Sequence, residues 1–322
     1  MTTADWEMPS LELPAAGADD PAPPTPPDLD LSDKRTALQA RLRTVLLGLP
    51  AYFEFNNHVA GVEATDLHAL NTLLGASIEG QVVKALNQQR KLWDPDDEWL
   101  GYTFERQSQR FPDVLLARKG GDAGADIALG IELKGWFLLA KEGVPSFRFG
   151  TTPAACADHD LLVVVPWYLD NVLSGSPVAA EPWVVSAKWA ANYRNYYWQH
   201  MRKVKAGTDT SISSPANVHP YPSREMNTWD KPGYDGGSNF GRVARVAGLM
   251  DEFIVSSNDL EVLGIRIGDW NWFLRIHSDQ ADPAEVKTKL FKELRAVEHG
   301  LSQVKAKRIT DAMTQLFAAW KD

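Results

Sequence analysis

Apolar residues occupy every second position along the segment that begins at Ile127. Ile127, Leu129, Ile131 and Leu133 repeat with the period of a β-strand, which places them on one face of that strand. The segment 111–116 has the composition of a second, shorter strand. Between the two lies the glycine-rich segment 118–124, which is typical of a tight turn. We therefore expect the two strands to pair as a β-hairpin.

Other segments have equally plain patterns. The continuous apolar run 160–167 predicts a buried strand, and 146–149 predicts a further short strand. Helical spacing of apolar residues recurs in the following places: after the capping pair Ser32-Asp33, near 64–75, near 77–92, near 284–299 and near 302–320. This order of elements predicts an α/β fold with a mixed central β-sheet flanked by helices.

The first 33 residues differ from the rest in composition. They contain eight acidic residues, no Lys or Arg, and seven of the 20 prolines, so we expect a disordered or loosely held arm. Since the whole chain carries a net charge of −9, the remainder is close to neutral at −1. The arm is interpreted either as an acidic mimic that competes with a polyanionic partner for the groove of the domain or as a solubilising tail.

Residues 34–322 are interpreted as a single domain, with a core at about 77–205 and a helical C-terminal elaboration at about 284–320. The chain contains no run of 18 apolar residues and no signal-peptide profile at its N-terminus. The single cysteine, Cys156, excludes an internal disulfide and a zinc-ribbon framework. A cytoplasmic protein is therefore expected.

Three charged residues interrupt the apolar strands of the hairpin. Glu132 and Lys134 are two positions apart, so they share one face of their strand, and pairing of the strands would bring Asp113 beside Glu132. Charges in apolar surroundings are costly, and a bound hard cation with oxygen ligands is a common compensation. The alternative is a surface ion pair between Glu132 and Lys134 on an edge strand.

The order Pro112-Asp113, then Glu132-Leu133-Lys134, resembles the PD-(D/E)xK nuclease superfamily over roughly 79–167. The resemblance implies a restriction-endonuclease-like core in which Asp113, Glu132 and the backbone carbonyl of Leu133 bind Mg²⁺. It also implies that Lys134 orients or activates the attacking water. Lys134 would either stabilise negative charge or, if burial lowers its pKa, accept a proton.

Glu79 is a candidate third acid of this site. It follows Ser77, which we interpret as the N-cap of the helix near 77–92. Many nucleases that resemble this superfamily carry a supplementary acid on the helix before the core sheet. The alternative is that Glu79 only complements the dipole at the start of its helix.

Two segments are candidates for contact with DNA. The segment 188–205 has five basic and no acidic residues, which are candidate phosphate contacts, although a solvated helix end is the alternative: Lys188, Arg194, Arg202, Lys203 and Lys205. Prolines and glycines break up 217–245, where Arg224 and Arg242 are candidate readers of base edges. The aromatic residues of the first segment are expected to pack in the core.

These observations favour a Mg²⁺-dependent DNA endonuclease, and in particular a type II restriction enzyme. The expected partners are double-stranded DNA, a second copy of the chain in a homodimer, and a cognate DNA methyltransferase encoded nearby. The alternatives are a defence or repair nuclease without sequence specificity, and a non-catalytic DNA-binding protein of the same fold.

Overall fold

The computed structural model describes residues 21–53, 58–61, 67–107, 110–118, 126–140, 142–235, 239–276, 282–295 and 302–321. The α-helices in these ranges are α1 (Lys34–Gly48), α2 (Leu67–Gln88), α3 (Arg90–Trp93), α4 (Ala187–Tyr196), α5 (Asp251–Asn258), α6 (Ile267–Ile276), α7 (Pro283–Leu294) and α8 (Gln303–Lys321). The strands are β1 (Tyr102–Arg106), β2 (Val114–Arg118), β3 (Ile127–Phe137), β4 (Leu161–Leu169), β5 (Pro177–Ala179), β6 (Trp183–Ser186), β7 (Ile212–Ser213), β8 (Lys231–Pro232), β9 (Glu261–Val262) and β10 (Ile265–Arg266).

The main sheet is mixed and has the strand order β1-β2-β3-β4-β5, with β6 also paired to β4. Strands β1, β2 and β3 form an antiparallel meander, while β3 and β4 run parallel. Val114 lies opposite Ile131, so the predicted hairpin is confirmed, although β2 begins three residues later than the expected 111. The α/β class with a mixed sheet flanked by helices is likewise confirmed.

Strand β3 lies in the centre of the sheet, between β2 and β4. Nearly all of its residues are buried on both faces, as are those of β4. The expected alternation is present, but the face that carries Glu132 is buried too. The edge-strand interpretation of the Glu132–Lys134 pair is therefore wrong, because an edge strand would have only one neighbour.

The helices before the sheet follow the predicted pattern with one exception. The Asp33 carboxylate caps α1 by accepting a bond from Thr36 N at 2.8 Å, as expected for a capping acid. The segment Leu67–Gln88 is one helix that runs through Ser77, so the assignment of Ser77 as an N-cap is wrong. Gly75 does not divide it, since a single glycine lowers helix stability without ending a helix.

The predicted strand at 146–149 is also wrong. That segment forms no ladder; instead Phe149 N donates to Gly241 O, and the Arg194 guanidinium donates to the backbone carbonyls of Phe149 and of Thr151, which follows the segment. It is an irregular segment that is held by groups distant in sequence.

Asp160 holds the start of the parallel strands together. Its buried carboxylate accepts bonds from Gly130 N at 2.7 Å, Ala157 N at 2.8 Å and the Tyr221 hydroxyl at 2.9 Å. Burial raises the pKa of Asp160 to about 6, although the three donors oppose this rise. The carboxylate thus ties β3 to the loop that contains Tyr221.

The two predicted C-terminal helices are present as α7 and α8. Leu290 and Ala306 are buried between them and pack with Trp272 of α6. Helical spacing in the sequence also predicts one apolar face on each of these helices, but Ile309, which belongs to the face of α8, is 39% exposed. The other residues expected on these faces lie outside the described side chains: Leu294, Val297, Met313, Leu316, Phe317 and Trp320.

The described part of the acidic arm, 21–33, forms no helix or strand, and it contacts the domain at Trp189. Its Pro24 carbonyl accepts a bond from Trp189 Nε1 at 3.0 Å. Residues 1–20 lie outside the described residues, so the expectation of disorder there stays a prediction. Within the described ranges, no helix has the length and apolar character needed to cross a membrane.

Gly130→Ala should destabilise the fold, because a Cβ there would lie 2.5 Å from Pro112 Cγ and 2.8 Å from Asp160 Oδ1. We expect a loss of about 1–3 kcal/mol in unfolding free energy, measured by urea denaturation. Gly80→Ala is the matched control, since that helical position has open space and should gain up to about 1 kcal/mol. Equal stability of the two variants would contradict the role given to Gly130.

Candidate active site

A cleft of about 270 Å³ opens where β2 begins beside the middle of β3. Asp113, Glu132 and Lys134 all line it. The sequence predicted that these three residues converge, and the structure brings them together.

Asp113 immediately precedes β2 and binds the backbone of β3. Its Oδ2 accepts a bond from Leu133 N at 2.8 Å, and its own carbonyl accepts one from Gln107 N at 2.7 Å. In a strand, the N–H and C=O of one residue point to the same edge, so the Leu133 carbonyl also points toward Asp113. The carboxylate and this carbonyl therefore lie on one side of β3.

Glu132 is the most buried charged group of the cleft. Its Oε1 lies 2.5 Å from Lys134 Nζ, while its Oε2 is buried with no hydrogen-bond partner among the described residues. Burial raises the pKa of Glu132 from 4.5 to about 7, and the charge of Lys134 offsets part of that rise. A buried oxygen without a donor is costly and calls for an explanation.

Lys134 connects the two acids, since its Nζ also lies 3.6 Å from Asp113 Oδ2. Burial alone would lower the pKa of Lys134, but the combined charges of Glu132 and Asp113 raise it well above its usual value. With both acids beside it, Lys134 is held as a cation, which favours charge stabilisation over proton acceptance.

The floor of the cleft has the chemistry of a site for a hard cation. Two carboxylates and the Leu133 carbonyl supply oxygen donors, and the unpartnered Oε2 of Glu132 is one of them. No group of three or more His, Cys, Asp or Glu residues suited to a metal occurs in the described ranges. A divalent ion would therefore need the backbone oxygen and further ligands from substrate or water.

The walls of the cleft are two loop segments, Arg148 to Thr151 and Pro222 to Trp229. The second loop is fixed at both ends: Tyr221 bonds to Asp160, and Asp230 accepts a bond from Arg194. Three arginines on separate segments line the cleft: Arg110, Arg148 and Arg224. The sequence did not single out Arg110 or Arg148, because no local pattern links them to the acids.

The prediction that Arg194 contacts DNA is wrong, because its side chain is fully buried. The guanidinium donates to Phe149 O at 2.6 Å, to Thr151 O at 3.1 Å and to Asp230 Oδ2 at 2.7 Å. Burial lowers the pKa of Arg194 to about 10, with Asp230 opposing the shift. Arg194 thus anchors both cleft walls: it binds carbonyls of the first wall directly, and it binds Asp230 at the end of the second.

The other basic candidates of the first segment lie outside the cleft lining. Lys188 is paired with Asp158 at 2.6 Å, and the Arg202 guanidinium stacks 3.8 Å above the ring of Trp198. Lys203 and Lys205 are exposed. Contact of these residues with DNA stays a prediction. Of the two candidate base readers, Arg224 lines the cleft, whereas Arg242 is absent from its lining.

Glu79 is not brought to the other acids. It forms an ion pair with Arg106 at 2.5 Å and does not line the cleft. Arg106 lies opposite Val114 on β2, so it faces the other side of the sheet from Asp113, the residue before Val114. The assignment of Glu79 as a third acid is therefore wrong.

No protein-family model, no curated protein and no solved structure matches the chain. The residues and geometry of the cleft are thus the basis on which a function is assigned.

Glu132→Gln should change how stability depends on pH. Because the folded-state pKa of Glu132 is raised to about 7, the native state holds this proton more tightly than the unfolded chain. The stabilisation is complete below about pH 4.5 and is lost as pH rises through 7. Gln does not titrate, so the variant should not lose this stability. Its unfolding free energy relative to wild type, measured by urea denaturation, should therefore rise between about pH 4.5 and 7.

Glu105→Gln, which removes an exposed carboxyl from β1 of the same sheet, is the control for this measurement. A pH-independent difference between Glu132→Gln and wild type would contradict the burial-driven shift.

Proposed function

We propose that the chain is a metal-dependent phosphodiester hydrolase that acts on DNA. The observation that carries the proposal is the buried Asp113–Glu132–Lys134 group at the floor of a cleft lined by arginines. Glu132 is placed in the core at an energetic cost and has an unpartnered oxygen, which a purely structural residue would not require.

The residues of the floor suit Mg²⁺, because carboxylate and carbonyl oxygens are its preferred protein ligands. Asp113, Glu132 and the Leu133 carbonyl would hold the ion. When bound, Mg²⁺ supplies Lewis-acid chemistry, since it neutralises phosphate charge and lowers the pKa of water. Lys134 would place a positive charge where negative charge develops on the phosphate.

The charge of the cleft supports an anionic polymer as substrate. Arg110, Arg148 and Arg224 add three positive charges around a floor in which Lys134 already offsets one of the two carboxylates. Arginine binds phosphate through several donors at once. The position of Arg224 beside the acids favours a phosphate contact over the reading of base edges.

The more specific form of the proposal is a type II restriction enzyme with a restriction-endonuclease-like core, paired with a DNA methyltransferase encoded nearby. The mixed sheet with Asp113 and Glu132 on adjacent segments supports this form. Double-stranded DNA and a homodimer are the partners it implies. A nuclease without sequence specificity remains the second candidate, since Arg110, Arg148 and Arg224 would serve either enzyme.

Asp113→Asn and Glu132→Gln should each abolish Mg²⁺-dependent cleavage of unmethylated phage DNA, because each removes an anionic ligand. Both variants should still bind DNA, since the arginines remain. Glu79→Gln is the matched control and should cleave at the wild-type rate, given its place outside the cleft. Gel analysis of cleavage, with and without Mg²⁺, provides the measurement. Wild-type cleavage by either site variant would refute the assignment.

Lys134→Ala should lose about 10²- to 10³-fold in cleavage rate, as expected when one charge-stabilising group is removed. Neither excess Mg²⁺ nor higher pH should restore the rate, because neither supplies a positive charge at the position of Lys134. Lys134→Arg should recover part of the activity, and Lys91→Ala, which removes an ion-paired lysine outside the cleft, should have no effect. Full rescue by Mg²⁺ would instead show that Lys134 serves only to organise the acids.

A further inference from the structure

Trp229 is an exposed aromatic residue in the wall of the cleft. It lines the same cavity as the catalytic candidates, and 44% of its surface is exposed. Because burial of a tryptophan is strongly favourable, an exposed one in a cleft is typical of a ligand contact.

The indole of Trp229 is held in place from one side. A Cβ on Gly150 would lie 2.4 Å from Trp229 Cε3, so the ring packs directly on the Gly150 backbone. Thr151 and Trp229 form an antiparallel bridge, and Trp229 N donates to Asn227 Oδ1 at 3.1 Å. The next residue, Asp230, forms a buried ion pair with Arg194 at 2.7 Å. The ring therefore packs on backbone at one side, while part of its surface stays exposed.

The cleft combines this aromatic surface with groups suited to a phosphate. Arg148 and Arg224 lie along the same cavity as Trp229, and the acids lie at its floor. Its volume of about 270 Å³ is close to the lower limit of small-molecule pockets, about 300 Å³. That volume suits a single nucleotide.

We propose that Trp229 stacks on the unpaired base of a nucleotide whose phosphate lies at Asp113, Glu132 and Lys134. Bases within a duplex are stacked on both faces, so an aromatic side chain reaches a base face only in a single strand or after extrusion from the duplex. The substrate class is thus DNA with an unpaired nucleotide at the cleavage site, which double-stranded DNA supplies when it extrudes a base. This inference rests on the proposed phosphodiester hydrolysis at the same site.

The test measures DNA binding in the full chain with Asp113→Asn as the background, in Mg²⁺, so that binding is followed without cleavage. Fluorescence anisotropy is recorded with a short labelled single strand and with strands of the same sequence that carry one abasic site at successive positions. Adding Trp229→Ala should raise the Kd for the intact strand roughly 5- to 150-fold, the range expected for loss of one base–aromatic stack. Trp229→Phe should raise this Kd by a smaller factor.

The abasic strands separate stacking from a general effect on the loop. At the position that occupies the cleft, an abasic site should weaken binding of the parent protein and abolish the effect of Trp229→Ala. Tyr52→Ala removes an aromatic side chain that is 43% exposed outside the cleft, and it should change nothing. Equal losses on intact and all abasic strands, or no loss at all, would overturn the proposal.

Duplex probes distinguish the two sources of an unpaired base. Extrusion predicts that a duplex with a central mismatch binds more tightly than the matched duplex and that the difference depends on Trp229. A preference for single strands predicts weak binding of both duplexes. Tight, Trp229-independent binding of the matched duplex contradicts the proposal.

Gly150→Ala keeps the indole but forces its ring to move, so it should reproduce the loss seen with Trp229→Ala. If thermal melting shows that Trp229→Ala is unfolded, Gly150→Ala and Trp229→Phe decide the outcome. Cleavage is measured separately with Asp113 restored. Trp229-dependent binding without any cleavage would refute the hydrolase alone, whereas duplex cleavage at an unchanged kcat/KM in Trp229→Ala would refute this inference alone.

Discussion

Glu132 lies in the middle of a strand that is buried on both faces, and the fold must compensate for its charge. An isolated carboxylate in such surroundings is strongly unfavourable. Lys134 supplies the opposite charge at 2.5 Å, and Asp113 shares that cation at 3.6 Å while binding the backbone of Leu133. The compensation is incomplete, because burial still raises the pKa of Glu132 to about 7 and Oε2 has no hydrogen-bond partner in the part of the chain that the structure describes.

Two other buried charges obey the same constraint, and their partners build the cleft. Asp160 accepts three bonds, one of them from Tyr221 just before the Pro222 to Trp229 wall. Arg194 binds the carbonyls behind the other wall and Asp230 just after Trp229. Both walls are therefore fixed by buried polar bonds. Both carboxylate oxygens of Asp160 have donors, whereas Oε2 of Glu132 has none among the described residues. This difference is the reason for assigning function to Glu132.

Local sequence patterns predicted the part of the site that one hairpin builds. The hairpin followed from the alternation after Ile127 and the glycine-rich turn, and it brings Asp113 to Glu132 and Lys134. The cap at Asp33 and the helices α7 and α8 followed from equally local signals.

The errors arose where partners are distant in the chain. Arg194 looked like an unpaired surface residue because Asp230, its partner, is 36 positions away. Glu79 looked like a site residue because the sequence did not reveal that its helix continues through Ser77 or that Arg106 pairs with it. Arg110, Arg148 and Trp229 meet only in the folded chain, so no periodicity could have identified them.

The central claim is that the oxygens at the floor of the cleft form a cation site. Crystals of the chain soaked in Mn²⁺, which resembles Mg²⁺ in ligand preference and can be located by its anomalous scattering, would test it most directly. The account predicts an anomalous peak about 2.0–2.3 Å from carboxylate oxygens of Asp113 and Glu132 and from the Leu133 carbonyl, with Lys134 displaced from Glu132. Absence of a peak there, with Lys134 still bridging both acids, would contradict it.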